Sequence, residues 1–323
     1  VALPSNTYTR YSVGTNARED LIEKITNSSP EDTPVISSFG RDTAENTYHE
    51  FQRDSLRAAN KDNAALDGDD ASGSAKTAPT RVANYCQIFQ DAIVVSGRAE
   101  VVKKAGMKSA MAYHKAKAYK ELQRDAEAAL LSANPAVAGA AGTAPKAGGL
   151  GVLIYTNASH GAGGATAAHT SGAPTTAVTA GTARAFTEAL LKTSVANVFN
   201  ATGKGVPMVV CSMSHKQIFG GFTGIAANRV NLPGSKGQGV VVGGADVYLS
   251  DTGRMEIVPH YILNGASTVY GLNPEFGDVA YLRGFQSTPL GKTGDSIKEQ
   301  VLVDATFRLT SEVACFKIAD LTP

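Results

Sequence analysis

Tryptophan is absent from this 323-residue chain, methionine occurs five times and cysteine three. Cys86, Cys211 and Cys315 are odd in number and far apart, which excludes the dense, even disulfide framework of a small secreted domain. In strand-like surroundings they read as buried reduced thiols, and cytosolic folding is the expectation. No sign of charge dominates: 30 Lys and Arg face 29 Asp and Glu, for a net charge of +1. The clustered cations of a protein that holds DNA tightly by counterion release are missing. No apolar run approaches the roughly 20 residues of a membrane-crossing helix, and no basic stretch followed by an apolar one opens the chain as a secretory signal would.

Chemical motifs are equally scarce. The six histidines (His49, His114, His160, His169, His215 and His260) show no metal-ligand spacing, and no Gly-x-Ser-x-Gly elbow occurs. Gly291-Lys-Thr293 lacks the upstream glycine of a phosphate loop and has Pro289 where the cradle would be. Asp67-Gly-Asp-Asp70 has Ala71 and Ser72 at the positions where a calcium loop needs an acidic residue and glycine. No catalytic residue, cofactor or metal is expected. A soluble α+β enzyme would need a constellation that this chain does not display. A secreted surface protein, suggested by the Ala/Gly/Thr-rich stretch, is opposed by the free thiols.

What is present is an unusual layout. At this length two sub-domains are expected. The first residues read as an extended arm with a capped helix at 16–25; a second cap at Ser29-Pro-Glu-Asp32 is cut short by Pro34. Between Arg41 and Gly97 lie two flanks rich in aromatic and β-branched residues, Ala44–Asp54 and Val82–Val95. Small and charged turn formers separate them. This predicts a long hairpin, and a two-stranded hairpin is marginal in water unless it rests on something else. Met107, Met111, His114, Ala118, Leu122, Ala126 and Leu130 recur at helical spacing and predict a strut helix over 107–133, with His114 a satisfied core residue. Beyond it, Gly151–Thr156 reads as a strand and the Gly-rich run to Gly181 as a surface loop with nothing to bury. A compact α+β unit follows: helices at 184–200 and 214–222, and strands at 206–211, 240–242, 247–249 and 254–263. Return strands are predicted at 278–283, 297–309 and 312–318.

Several short stretches occur in a specific order along the chain. They are Arg18-Glu-Asp-Leu21, Ser29-Pro-Glu-Asp-Thr-Pro34, Glu50-Phe-Gln-Arg-Asp54, Asn84-Tyr-Cys-Gln-Ile88 and Val95-Ser-Gly97. Glu121-Leu-Gln-Arg-Asp125, Ala128-Ala-Leu-Leu131, Ala280-Tyr-Leu-Arg283 and Leu290-Gly-Lys-Thr-Gly-Asp295 complete the set. Layout and stretches together resemble the major capsid proteins of tailed bacteriophages, with the Hong Kong 97-type α+β fold.

The resemblance implies an N-terminal arm at 1–40, an extended loop at 41–95, a peripheral domain at 96–134 carrying a spine helix, an axial domain at 135–272, and peripheral return strands at 273–323. It implies self-assembly into pentamers and hexamers of an icosahedral shell around double-stranded DNA, contacted weakly and non-specifically. The expected partners are further copies of the chain, a portal, and scaffold or decoration proteins, with no membrane. Assembly is expected in the cytoplasm of a bacterial host, and an encapsulin-like compartment is the rival within the fold. Each extended loop then lies on a neighbouring subunit, so Arg53, Asp54, Arg57, Asp67, Asp69, Asp70 and Arg81 become candidate contacts, the acidic tip meeting a basic patch. By the same analogy Lys292 and Asp295 form a charged contact turn. Some relatives crosslink Lys to Asn; Lys61 and Asn63 sit at the tip, but no motif marks them.

Overall fold

The computed structural model describes residues 29–323 except 65, 69, 71, 72, 74, 75 and 223–245. The helix expected at 16–25, the strand at 240–242 and Asp69 lie outside the described residues. From the N-terminal side run α1 (Pro34–Ser38), β1 (Gly40–Thr43), β2 (Tyr48–Arg53), β3 (Thr80–Tyr85) and β4 (Gln87–Ser96). Then come α2 (Gly97–Val101), α3 (Ala110–Leu131), α4 (Leu150–Leu153), β5 (Ala158–Ser159) and α5 (Glu188–Thr202). β6 (Met208–Cys211), α6 (Met213–Gly220), β7 (Val247–Ser250), β8 (Gly253–Pro259) and β9 (Val269–Leu272) follow, before β10 (Gly277–Pro289), β11 (Ser296–Leu309) and β12 (Phe316–Ile318).

The strands form a four-stranded sheet ordered β1-β10-β11-β4, a six-stranded sheet ordered β5-β12-β9-β6-β8-β7, and the separate pair β2-β3. β4 alternates: Phe89, Ile93 and Val95 are buried while Ile88 and Val94 are exposed, the pattern of a sheet with one covered face. The cover is α3, whose Met111, Ala118, Leu122, Ala126 and Leu130 share a core with Val301 and Val303 of β11. Ser109 starts this helix by accepting from the Ala112 N–H. At 22 residues it runs about 33 Å.

Four expectations need correction. His114 is exposed, because at about 100° per residue it falls on the margin of the stripe centred on Met111, Ala118 and Leu122. Pro34 opens α1 rather than ending a turn, as proline suits the first helical position. Residues 150–153 make a helical turn, not a strand. A Cβ on Gly151 would lie 2.7 Å from Ala133 Cα, so the backbone is drawn against the end of α3 with Leu150, Val152 and Leu153 all buried. Finally, β12 pairs with β9 and β5, so the last strand belongs to the six-stranded sheet and not with the return strands β10 and β11.

A buried polar knot joins these parts. Glu127 of α3, fully buried, accepts the N–H groups of Val35 (2.9 Å) and Ile36 (2.8 Å) in α1. His260 Nδ1 accepts from the Ile262 N–H at 3.1 Å, so its Nε2 carries the proton and donates to Glu127 at 3.1 Å.

Candidate assembly interface

β2 and β3 pair from Tyr48↔Tyr85 to Arg53↔Thr80, and among the described residues no strand continues the ladder beyond. The described residues of 54–79 are exposed, with Leu56 and Leu66 98 % and 80 % accessible. The returning flank is shorter than expected. The Cys86 N–H turns to the Thr47 carbonyl (2.8 Å), and β4 then joins β11 in the four-stranded sheet. The reason is the inward row of Phe89, Ile93 and Val95, which a free hairpin could not bury.

The base of the hairpin, in contrast, is built into its own subunit. Val82, Ala83 and Asn84 are buried. The Asn84 amide donates to the Gly148 (3.1 Å) and Phe307 (2.9 Å) carbonyls and accepts from the Gly148 N–H (2.8 Å). The Gly-rich run after residue 156, expected to have nothing to bury, supplies a clamp. Thr170 and Ala173 bridge each other across Ser171 (φ 51°) and Gly172 (φ 90°), the two left-handed central positions of a tight hairpin turn. The Ser171 carbonyl accepts from the Tyr48 hydroxyl (2.7 Å) on β2, and the Gly172 carbonyl from the Ala83 N–H (3.0 Å) on β3. A Cβ on Gly172 would sit 2.7 Å from the Arg81 carbonyl oxygen. Small residues here permit close backbone approach.

Arg53 closes the base. Its guanidinium donates to the Leu309 and Thr310 carbonyls and to the Tyr155 hydroxyl, 3.9 Å from Glu312. Glu312 is itself buried and accepts from Tyr155 N, Thr156 N and the Thr156 hydroxyl. Arg53 is therefore hydrogen-bonded within its own subunit.

The other candidates separate by position. Arg81 meets Glu50 at 3.8 Å, both exposed, a pair of little energetic weight. Among the described residues, the Asp54 carboxylate accepts only from its neighbour Ser55 N–H (2.8 Å), and Arg57 donates only to the adjacent Ala58 carbonyl (3.1 Å). Asp67 and Asp70 are exposed at the tip. Lys292 and Asp295 are exposed in the turn between β10 and β11, where the Gly97 N–H donates to the Asp295 carbonyl (3.1 Å). Among the described residues, the tip charges Asp67 and Asp70 have no ion pair, whereas Arg53 and Glu312 at the base are bonded within the subunit. Of the polar groups that hold the frame, Asn84 opens the stretch Asn84-Tyr-Cys-Gln-Ile88, whereas Glu127 and Glu312 lie in no stretch that marked them.

Reactive chemistry is muted. Burial pushes the thiol of Cys86 up to about 11 and those of Cys211 and Cys315 up to about 12. All three are buried and free. Ser212 Oγ lies 2.8 Å from His215 Nδ1, but it caps α6 from a buried position and the far ring nitrogen lies 3.2 Å from the Thr322 carbonyl oxygen. That is a structural contact. Among the described residues no cluster of His, Cys, Asp and Glu could hold a metal ion, and no helix is long and apolar enough to cross a membrane.

The chain matches a family model described as the SU10 major capsid protein over residues 3–322. The major capsid protein of Escherichia phage Phieco32 is 31% identical over 104 residues, covering 32% of this chain and 30% of that one. The match thus spans under a third of that curated relative. Solved structures agree in fold. The capsid asymmetric unit of cyanophage A-1(L) superposes with a TM-score of 0.66 at 13% identity, covering 98% of this chain and 100% of that one. The capsid of a native GTA particle gives 0.63 at 10% identity over 99% and 100%. An SrpI encapsulin complex from Synechococcus elongatus gives 0.56 at 10% over 98% and 96%. With the long helix α3 and two sheets on the Hong Kong 97-type plan, the chain belongs to the SU10 major capsid protein family.

Proposed function

We propose that this chain is the wall protein of a bacteriophage head, closing with copies of itself into pentamers and hexamers around double-stranded DNA. One observation carries the reading: the loop is locked to its own subunit up to Arg53 and Thr80, while the described residues of 54–79 have no partner strand. A rigid base with an unpartnered tip is a part made to be completed by another molecule. Interfaces that exist only in an assembly typically bury on the order of 2,000–5,000 Å², and repeated heterologous contacts close into rings.

In this reading 1–40 is the arm and residues 44–86 the working part of the extended loop. The four-stranded sheet with α3 is the peripheral domain, and the six-stranded sheet, including β12, the axial domain. A portal, and scaffold or decoration proteins, are the other partners, and assembly takes place in the host cytoplasm before residence in the virion. The role is structural, without catalysis.

Electron microscopy of the purified protein tests this. Shells, rings or capsomers are expected; small oligomers at every concentration would sink it. Shells filled with DNA support the phage reading, whereas shells that carry an enzyme cargo would favour an encapsulin-like compartment. Deleting 57–79 is expected to leave a folded subunit that does not close shells.

A further inference from the structure

Between β4 and α3 the chain makes a knuckle at Gly97–Ser109. It presents Val101 and Val102, 85 % and 57 % accessible, side by side with exposed Arg98, Lys103 and Lys108. Its shape is held from within. The Lys104 ammonium donates to the Glu100 (3.0 Å) and Val102 (3.1 Å) carbonyls, and the Glu100 carboxylate accepts the Ala110 N–H (3.0 Å) at the start of α3. Those contacts occupy Lys104 and Glu100. Arg98, Lys103 and Lys108 have no carboxylate partner among the described residues. Two exposed valines and three exposed cations within one short stretch are an unsatisfied surface.

The loop tip carries the opposite pattern. Leu66 is 80 % accessible and is followed by exposed Asp67 and Asp70, which likewise have no cationic partner. Lys61 and Lys76, the basic groups nearest in sequence, form no ion pair with either aspartate among the described residues, and Arg53 and Arg81 are engaged with Leu309, Thr310 and Glu50. Folded out and back, a segment as long as 54–79 reaches roughly 40 Å from its anchor. That is enough to cross to an adjoining molecule of this size.

We propose that the tip of one copy docks on the knuckle of the next, with Leu66 against Val101 and Val102, and Asp67 and Asp70 against Arg98, Lys103 and Lys108. This rests on the shell reading and names its contact. Apolar side chains give the joint area, and complementary charge sets register and suppresses wrong pairings.

Two measurements test it, with shell formation by the unaltered protein as the reference. Asp67→Lys with Asp70→Lys is expected to lower shell yield at least tenfold, as is Lys103→Glu with Lys108→Glu. All four changes together are expected to restore it. Leu66→Cys with Val102→Cys, oxidised in shells, is expected to give covalent multimers on a non-reducing gel. A quadruple variant no better than its parents, or only monomer bands from shells, overturns the proposal. So do Lys103→Glu/Lys108→Glu shells that assemble normally and lose only bound DNA, since the knuckle would then face nucleic acid. Absence of shells from the unaltered protein would instead defeat the function reading itself.

Discussion

The Arg53 guanidinium donates to the Leu309 carbonyl at 2.9 Å, tying the last paired residue of β2 to the end of β11. This bond fixes where the loop leaves the body. The loop beyond Arg53 therefore starts from a defined direction.

Arg53→Ala removes the charge-assisted bonds to Leu309 and Thr310. A loss of about 2 kcal/mol is expected in thermal unfolding of the unassembled subunit, and shells seen by electron microscopy should become irregular. Arg53→Lys should recover little, because an ammonium cannot fork between two carbonyls.

Gly172→Val should loosen the base without touching the tip. The residue sits at φ 90° with the Arg81 carbonyl oxygen 2.7 Å from the position of a Cβ. A β-branched side chain there costs about 1–3 kcal/mol. Hydrogen exchange at Ala83 and Tyr85 is expected to accelerate, with α3 unchanged. Ser171→Gly, at φ 51°, relieves a left-handed residue and should stabilise the turn by about 1 kcal/mol.

Glu127→Ala leaves the Val35 and Ile36 N–H groups and the His260 Nε2–H without an acceptor in a fully buried site. A loss of at least about 3 kcal/mol is expected. Glu127→Gln sets an NH2 against one of these donors and should also destabilise. Limited proteolysis near 29–39 would report release of α1; unchanged cleavage would show that the knot does not hold it.

Lys317 is buried, with its ammonium hydrogen-bonded to the Gly151 carbonyl, and burial lowers its pKa from 10.5 to about 8. The folded pKa lies below the unfolded one, so between about pH 8 and pH 10.5 the unfolded chain holds a proton that the folded chain has released. Stability should therefore rise with pH through that window, by up to roughly 3 kcal/mol, while below pH 8 the full burial penalty remains. Lys317→Met removes the titration. Chemical denaturation of both proteins across this range should show their difference shift by that amount, and a constant difference would refute the assignment.

Where an element buries one face, the sequence shows it. The stripe of α3, the alternation of β4 and the β10–β11 pair can all be read from residue spacing, because period sets which side chains face the core. The unpartnered tip is equally legible, since Asn60 to Ser74 offers turn chemistry and little to bury. Local order fails where neighbours are supplied from afar. Gly151–Thr156 has the composition of a strand, yet its start coils against the end of α3. Thr170–Ala173 looks like filler until β2 and β3 are set beside it. Arg53 looks like surface charge until β11 brings two carbonyls and Glu312 within reach.

Composition and motif order alone determined the class of this protein: an α+β capsid subunit, carrying a segment too poor in core to stand alone. Both are properties of side-chain chemistry and period, which each stretch carries with it. Only the tertiary structure decided how much of that segment is truly free. It separated base from tip at Arg53 and Thr80, moved β4 into the body and β12 into the other sheet. It also left Arg98, Lys103 and Lys108, near two exposed valines in sequence, without an ion pair among the described residues. Those outcomes depend on contacts between residues far apart in the chain, and such contacts exist only once the backbone has closed around them.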